Sequence, residues 1–380
     1  MIKVLNLIFH LANLLLIGIL KFEKQVRTEK SLLIIRLDSI GDYILFRNFL
    51  ELLRNHEKYR DYKITLCGNA IWKDIAIYYD NKFLDEFIWI DRFKFSSNIF
   101  YKYKILKNIY QKGFETVIET IYTREILYGD LLVKASNAKV SIGSLPSIDN
   151  EFKTRVFTNN FYSKLINTAS DNLFEFERNR RFFESLLDVR INITKPFFNW
   201  DSTINEHTEK YIVIFPGAKD DFRRWSKDNF TGIITYLINN YNYKIIICGA
   251  KGERSLTKYI SDKVNSVRLL DFAGEITLNK LIEMIGNAEL LISNETVAPH
   301  IAVAVNCQFI CISNGNHYGR FHPYPEEIFN GGYYVYPPQI MKHINNPEKL
   351  SELYRFQSNL DINLIKPNDV IRQIPGALDR

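Results

Sequence analysis

Residues 32–42 read Leu-Leu-Ile-Ile-Arg-Leu-Asp-Ser-Ile-Gly-Asp. The apolar residues Leu32 to Ile35 suit a strand covered on both faces, as the strands of parallel sheets are. Gly41 permits a tight turn, and Tyr43 to Arg54 (YILFRNFLELLR) resumes with apolar residues at helical spacing. Strand, polar turn and helix therefore follow one another. In open α/β sheets ligands gather beyond the carboxyl ends of the strands, so Asp38, Ser39 and Asp42 mark a candidate site. Two roles are open to Asp42: the cap of its helix, for which Asp is favoured, and a general base.

Outward from this segment the same alternation recurs in two halves. Leu32 to Leu37, Lys63 to Cys67, Phe87 to Ile90, Thr116 to Glu119 and Val140 to Ile142 read as strands of the first half. A charged amphipathic stretch, Asn172 to Leu187, closes it. Tyr211 to Phe215, Lys244 to Cys248, Val267 to Leu270, Leu290 to Ile292 and Phe309 to Ile312 read as strands of the second half. Strand and helix in turn imply parallel sheets with right-handed crossovers, hence two doubly wound α/β domains. Pro196 and a polar run put the boundary near Lys195 to His207. The expected divisions are an amino-terminal helix and basic linker (1–30), a first domain (31–200), a second domain (201–345) and a helical tail (346–380).

The amino terminus reads as a separate object. Val4 to Leu20 is nearly all apolar, close to the roughly 20 residues that a bilayer span takes. Asn6, His10 and Asn13 are spaced four and three apart and form a narrow polar stripe. Basic Lys21, Lys24, Arg27 and Lys30 follow, which suggests a helix lying in, or anchored through, the cytoplasmic leaflet. The competing reading is a helix packed on the protein's own core or on a second copy. No small-residue cleavage site follows, against a removable signal peptide.

At 380 residues, 46% hydrophobic and 24% charged, the chain has the composition of an ordinary globular protein. Its net charge of +6 is modest and scattered, which disfavours nucleic acid as partner and suits an anionic substrate or membrane surface. The four cysteines, Cys67, Cys248, Cys307 and Cys311, fall mostly in apolar runs and read as buried small hydrophobes in a reducing compartment. Neither they nor His317 and His322 have ligand spacing, so no metal is assigned. No Gly-x-Gly-x-x-Gly and no Gly-x-x-x-x-Gly-Lys-Ser/Thr follows a strand, which disfavours dinucleotide oxidoreductases and P-loop enzymes. Instead the second-half strands end in short loops, Pro216-Gly217-Ala218-Lys219, Gly249 to Glu253, Ala273-Gly274-Glu275 and Ser293 to Thr296. Such loops expose N–H groups at helix starts, which suits a phosphate-bearing ligand.

Four stretches, Ile34 to Asp42 (IIRLDSIGD), Phe215 to Phe230 (FPGAKDDFRRWSKDNF), Phe272 to Ile285 (FAGEITLNKLIEMI) and Ser293 to Val305 (SNETVAPHIAVAV), together resemble glycosyltransferase family 9, the ADP-heptose:lipopolysaccharide heptosyltransferases. The likeness runs over residues 31–325. It implies a GT-B fold, two Rossmann-like domains facing across a cleft, the first holding the acceptor and the second the nucleotide sugar. It also implies an inverting, metal-independent transfer without cofactor, from a donor such as ADP-heptose to a lipopolysaccharide or other lipid-linked glycan. The place implied is the inner face of the bacterial cytoplasmic membrane, held peripherally or through residues 4–20.

By that resemblance Asp42, after Gly41, matches the proposed base. Ala218, Lys219 and Arg223 match the diphosphate-binding stretch, with arginine where lysine is common. Arginine keeps the charge and adds a planar fork. Its alternative is a solvated surface cation among Asp220, Asp221 and Arg224. Lys251 or Glu253 falls where an acidic ribose contact is expected, and Gly274, Glu275 and Ile276 where backbone meets the adenine. Glu295, Thr296, Val297 and His300 match Asp-Thr-Gly-x-x-His, with Glu for Asp and Val for Gly. His300, one turn after Thr296, reads equally as ligand contact or structural histidine. Asn314 to Arg320 reads as a cover for the donor or as a surface turn. Two other functions stay open: a GT-B epimerase of nucleotide sugars, and a non-catalytic nucleotide-sugar or glycan binder.

Overall fold

The computed structural model describes residues 13, 15–146, 158–168, 173–200 and 209–379. It divides into two compact units, Met1–Asp171 with Glu177–Asn192, and Asn172–Phe176 with Ile193–Arg380. Most of the expected amino-terminal helix, residues 4–12 and 14, lies outside the described residues.

The first unit holds a six-stranded parallel sheet: β1 (Thr28–Arg36), β2 (Lys63–Asn69), β3 (Glu86–Ile90), β4 (Phe114–Glu119), β5 (Val140–Ser144) and β6 (Lys164–Ile166), in the order β3-β2-β1-β4-β5-β6. All neighbours pair in parallel. Leu32, Leu33, Ile34 and Ile35 are buried, as expected for a central strand covered on both faces. Each such side chain is worth ~1.5–3 kcal/mol when fully withdrawn from water. The expected helix Tyr43 to Arg54 is instead two helices, Ile40–Ile44 and Phe49–Asn55. Residues 43–50 are buried on every side, so their apolar spacing reports burial rather than one continuous helical face. Arg47 turns inward there, paired with Asp80 at 2.7 Å, and the Tyr43 hydroxyl donates to the same carboxylate.

The second unit repeats the design with β7 (Tyr211–Phe215), β8 (Lys244–Ile247), β9 (Leu269–Asp271), β10 (Leu290–Asn294), β11 (Phe309–Ile312) and β12 (Gly332–Val335), ordered β12-β11-β10-β7-β8-β9. Val267 is not in a strand and is 97% exposed, because β9 begins two residues later than its apolar run suggests. Strands β6 and β12 are short edge strands whose apolar signal is weak. The tail from 346 is no separate element: Ile362, Ile365, Val370, Ile374 and Ala377 are buried in the core beneath β7, β8, β10 and β11. Its polar spacing conceals those anchors because each short segment contributes one or two of them.

In both sheets the strand order reverses at one place, between β1 and β4 in the first and between β7 and β10 in the second. These reversals are where open α/β sheets bind ligands, beyond the carboxyl ends of the strands. All four cysteines are free and buried, and burial pushes Cys248 and Cys307 up to about 12. They behave as small hydrophobes, as their sequence context suggests.

Candidate functional site

In the first unit the polar turn after β1 is held from below by Arg36. This cation, directly after the apolar run Leu32 to Ile35, is completely buried. Its guanidinium pairs with Asp38 at 2.7 Å and donates to Thr120 Oγ1, Asn179 Oδ1 and the Asp42 carbonyl. A buried charge persists where its donors are met, and here they fix the loop that carries both aspartates. The signal for Arg36 was legible in the sequence: a charge inside a buried strand requires partners.

Asp42 is half-buried at the third position of the helix Ile40–Ile44. Its Oδ2 accepts from the Ser39 backbone N–H at 3.2 Å and from the Ser39 hydroxyl. The capping role is therefore filled, and by one oxygen. Oδ1 accepts no hydrogen bond among the described residues, which leaves a carboxylate oxygen oriented by its partner and open to a proton. Gly41, just before it, is buried.

Glu119, at the end of β4 on the other side of the reversal, is a residue the sequence reading did not single out. It is completely buried, and neither carboxylate oxygen has a hydrogen-bond partner among the described residues. Burial, and next the nearby Asp130, hold its carboxyl well above the ordinary carboxylate range despite Arg124 and Arg36. Because the folded value lies above the unfolded one, the folded state binds more protons. Stability from this group is therefore full below the unfolded value and is lost as pH rises through the folded one. Glu119→Gln removes that slope. Its melting temperature relative to wild type is expected to be higher at pH 8 than at pH 5. Parallel thermal melts at the two pH values check this.

In the second unit the residues at the reversal converge. Asn294, ending β10, donates to the carbonyls of Pro216 and Gly217 and accepts from the Trp225 N–H, tying the loop after β7 to that after β10. Arg223 donates to the Glu295 carbonyl at 2.6 Å and to its carboxylate at 3.3 Å, and lies 4.0 Å from Asp220. It is thus held, not a loose surface cation, and its Nε donates to no described residue. Glu295 is buried, and its other oxygen accepts from the Ser313 hydroxyl, which in turn accepts from the Gly315 N–H. The side chain, longer by a methylene than the Asp of the resemblance, is accommodated by Ser313. That partner was not foreseen, since nothing in its sequence setting marks it.

Thr296 caps the helix Val297–Val305, its hydroxyl accepting from the Ala298 N–H at 3.2 Å. First-turn N–H groups have no intrahelical acceptor, and Pro299 has no N–H. The Val297 N–H thus remains as a donor beside Arg223's partner Glu295, and this helix end carries partial positive charge. Val297 is the first helical residue, a position at which a β-branched side chain meets no backbone strain.

His300 is buried, and its Nδ1 shares a 2.7 Å hydrogen bond with the Tyr324 hydroxyl. Burial, and secondly Arg223, push it down to about 3, so it is neutral at ordinary pH. His322 stacks on it at 4.6 Å.

Of the two candidates in the loop after β8, Glu253 turns toward the loop after β7. Its carboxylate accepts from the Ala250 N–H at 2.7 Å and lies so close over Gly217 that any Cβ there would overlap it. Lys251 is exposed, as is Lys219, whereas Ala218 is buried and accepts from Arg224 through its carbonyl. Gly274 has a φ of +69° and donates to the Gly249 carbonyl, bringing Gly274-Glu275-Ile276 beside the β8 loop. Arg254 bonds the Ala273 carbonyl and pairs with Glu275 at 2.9 Å. Residues 314–320 are mostly buried, with Asn314 bonded to the Phe222 and Leu360 carbonyls, so they are no simple surface turn. Among the described residues no three or more His, Cys, Asp or Glu side chains converge as metal ligands.

Two doubly wound parallel sheets, each with its polar constellation at the strand-order reversal, define the GT-B class of architecture. A family model for glycosyltransferase family 9 (heptosyltransferase) matches residues 120–349, and the chain belongs to that family. Lipopolysaccharide heptosyltransferase 3 of Escherichia coli is 24% identical over 122 residues, 32% of this chain and 36% of that protein. That match thus spans little more than a third of the relative's length. Among solved structures, the family 9 glycosyltransferase of Veillonella parvula DSM 2008 superposes with a TM-score of 0.69 at 16% identity, covering 93% of this chain and 99% of that one. Escherichia coli heptosyltransferase WaaC with ADP-2-deoxy-2-fluoro heptose gives 0.68 at 14%, covering 91% and 99%. At such identities these two share the fold.

Proposed function

We propose that this protein is an inverting glycosyltransferase that moves a sugar from a nucleoside diphosphate donor, with ADP-heptose the first candidate, to a hydroxyl of a lipopolysaccharide or other lipid-linked glycan. The observation that carries the reading is the Arg223–Glu295–Thr296 constellation at the reversal of the second sheet. It sets a forked cation and a helix amino terminus together where a diphosphate would bind. Family membership, and the ADP and ADP-2-deoxy-2-fluoro heptose found with Escherichia coli WaaC, support a nucleotide-sugar donor.

In the proposed reaction Asp42 takes the acceptor hydroxyl proton as its oxygen bonds to the anomeric carbon. The bond from that carbon to the diphosphate oxygen breaks, and the leaving group departs with the electron pair. Arg223 and the Val297 N–H meet the charge it gains. Attack opposite the leaving group inverts the configuration. Glu253, beside Gly217, is assigned to the donor ribose, and Gly274 to Ile276 to its base. His300, neutral and tied to Tyr324, shapes the floor of the donor site without carrying charge. The cationic parts are side chain and backbone, so the reading assigns the leaving group no metal. With a lipid-linked acceptor, the enzyme works at the inner face of the cytoplasmic membrane, held there peripherally or anchored through residues 4–20.

Incubation of the purified protein with ADP-heptose, with and without a lipopolysaccharide core acceptor, tests the reading. ADP release and a heavier glycan are expected only when acceptor is present. Conversion of the donor sugar without acceptor would instead identify an epimerase. A donor that raises the melting temperature by mass action but is never consumed would identify a binding protein.

A further inference from the structure

We infer that the first unit carries a lipid-contacting surface that extends beyond residues 4–20, formed by Phe93, Ile99 and Phe100 with Leu15, Ile19 and Phe22, which docks on an anionic bilayer. Residues 15–23, with Asn13, present apolar side chains on two faces. Asn13, Ile17 and Leu20 are buried, with the Asn13 side chain accepting from Lys102 Nζ at 3.1 Å. Leu15, Ile19 and Phe22, four and three residues apart on the opposite face, are 69%, 49% and 93% exposed. Asn13, the last member of the polar stripe read from the sequence, thus lies against the protein. With apolar side chains on both its buried and its exposed face, the segment is arranged for an apolar surrounding outside as well as inside.

This segment lies along the helix Ile99–Lys112. Asn13 meets Lys102, and Glu23 meets Lys107 at 2.6 Å and the Tyr103 hydroxyl at 3.0 Å. Ile99 and Phe100, 50% and 82% exposed, sit three and two residues before Lys102, and Phe93 on the preceding helix Arg92–Ser97 is 79% exposed. Aromatic residues so exposed on two consecutive helices and on the segment packed along one of them are more than the singly scattered apolar residues of an ordinary surface. The surrounding charge decides the occupant. Lys21, Lys24, Arg27 and Lys104 are exposed around these residues, while nearby Glu23 is paired with Lys107 and Asp91 with Lys94. An aromatic and aliphatic centre with a basic surround complements acidic headgroups above acyl chains.

The position bears on the proposed acceptor, and to that extent the inference rests on the glycosyltransferase reading. Arg92, next to Phe93, donates to the Leu37 carbonyl at 2.9 Å, in the loop that carries Asp38 and Asp42. Docking through Phe93 and Phe100 thus sets the end of the first sheet that bears Asp42 beside the bilayer from which a lipid-linked glycan projects.

Sedimentation of the full chain with extruded vesicles of phosphatidylethanolamine and phosphatidylglycerol (3:1) tests this, with pure phosphatidylcholine vesicles as the neutral comparison. Wild type is expected to partition to the anionic vesicles, less so at high salt. Phe93→Asp with Phe100→Asp, and separately Phe22→Asp, should each weaken partitioning at least ten-fold, whereas Leu353→Asp in the second unit should not. Unchanged binding of the Phe93/Phe100 variant, equal binding to neutral vesicles, or no binding by wild type would overturn the inference. So would a concentration-dependent dimer that the same substitutions abolish while vesicles have no effect. ADP-induced thermal stabilisation, read on the same proteins, belongs to the second unit. Its absence would count against the glycosyltransferase reading and leave vesicle partitioning untouched.

Discussion

Asp42→Asn is expected to lower kcat by roughly 10²- to 10⁴-fold, the range over which a positioned general base contributes, with the affinity for donor nucleotide unchanged. The reason is local. The side chain is already anchored through Oδ2 to the backbone and hydroxyl of Ser39, and its loop is clamped by fully buried Arg36. Asparagine is close in shape and can keep a carbonyl oxygen toward the Ser39 N–H, so the fold of the turn should survive. What is lost is an oxygen basic enough to accept the proton of a sugar hydroxyl. Steady-state transfer assays paired with ADP titration by calorimetry distinguish the outcomes. Near-wild-type turnover would mean that Asp42 is a helix cap and nothing more.

Arg223→Ala is expected to cut kcat/KM by roughly 10²- to 10³-fold, the loss seen when one donor to developing negative charge is removed. Two effects combine. The leaving diphosphate loses its forked cation, and Glu295, 3% exposed, loses the cation that faces it. Removing one member of a buried pair costs up to about 3–5 kcal/mol. Arg223 itself keeps 24% of its side chain in solvent, so screening places the stability cost well below that ceiling. Arg223→Lys should restore charge without the fork, recovering binding more than rate. A donor titration and a thermal melt on each variant separate the two effects. If the alanine variant melts lower yet turns over normally, the guanidinium is a structural partner of Glu295 and does not meet the diphosphate.

Much of this architecture was legible in the chain. Apolar runs such as Leu32 to Ile35 and Lys244 to Cys248 report strands because burial on both faces leaves no room for polar alternation. The loops at their carboxyl ends stand out because polar and glycine residues interrupt those runs. Reading failed where periodicity lost its meaning. Tyr43 to Arg54 is apolar at helical spacing, yet it breaks into two short helices because Arg47 turns inward to Asp80. Asn13 has the spacing of a polar stripe, but its amide meets Lys102 inside the first unit. Glu119 and Ser313 became visible as site residues once their surroundings were known, since neither sits in a motif.

By itself the sequence determined the two parallel α/β units, the order of their strands along the chain, and which loops carry polar chemistry, because these follow from local runs of burial and turn residues. The tertiary structure alone decided which of those loops meet. Arg223 reaches Glu295 across 72 positions of chain, Glu253 rather than Lys251 lies over Gly217, and residues 362–377 complete the second core. Such pairings depend on strand order in space and on which side chains survive desolvation together. Neither quantity is written in the spacing of residues along one strand or helix.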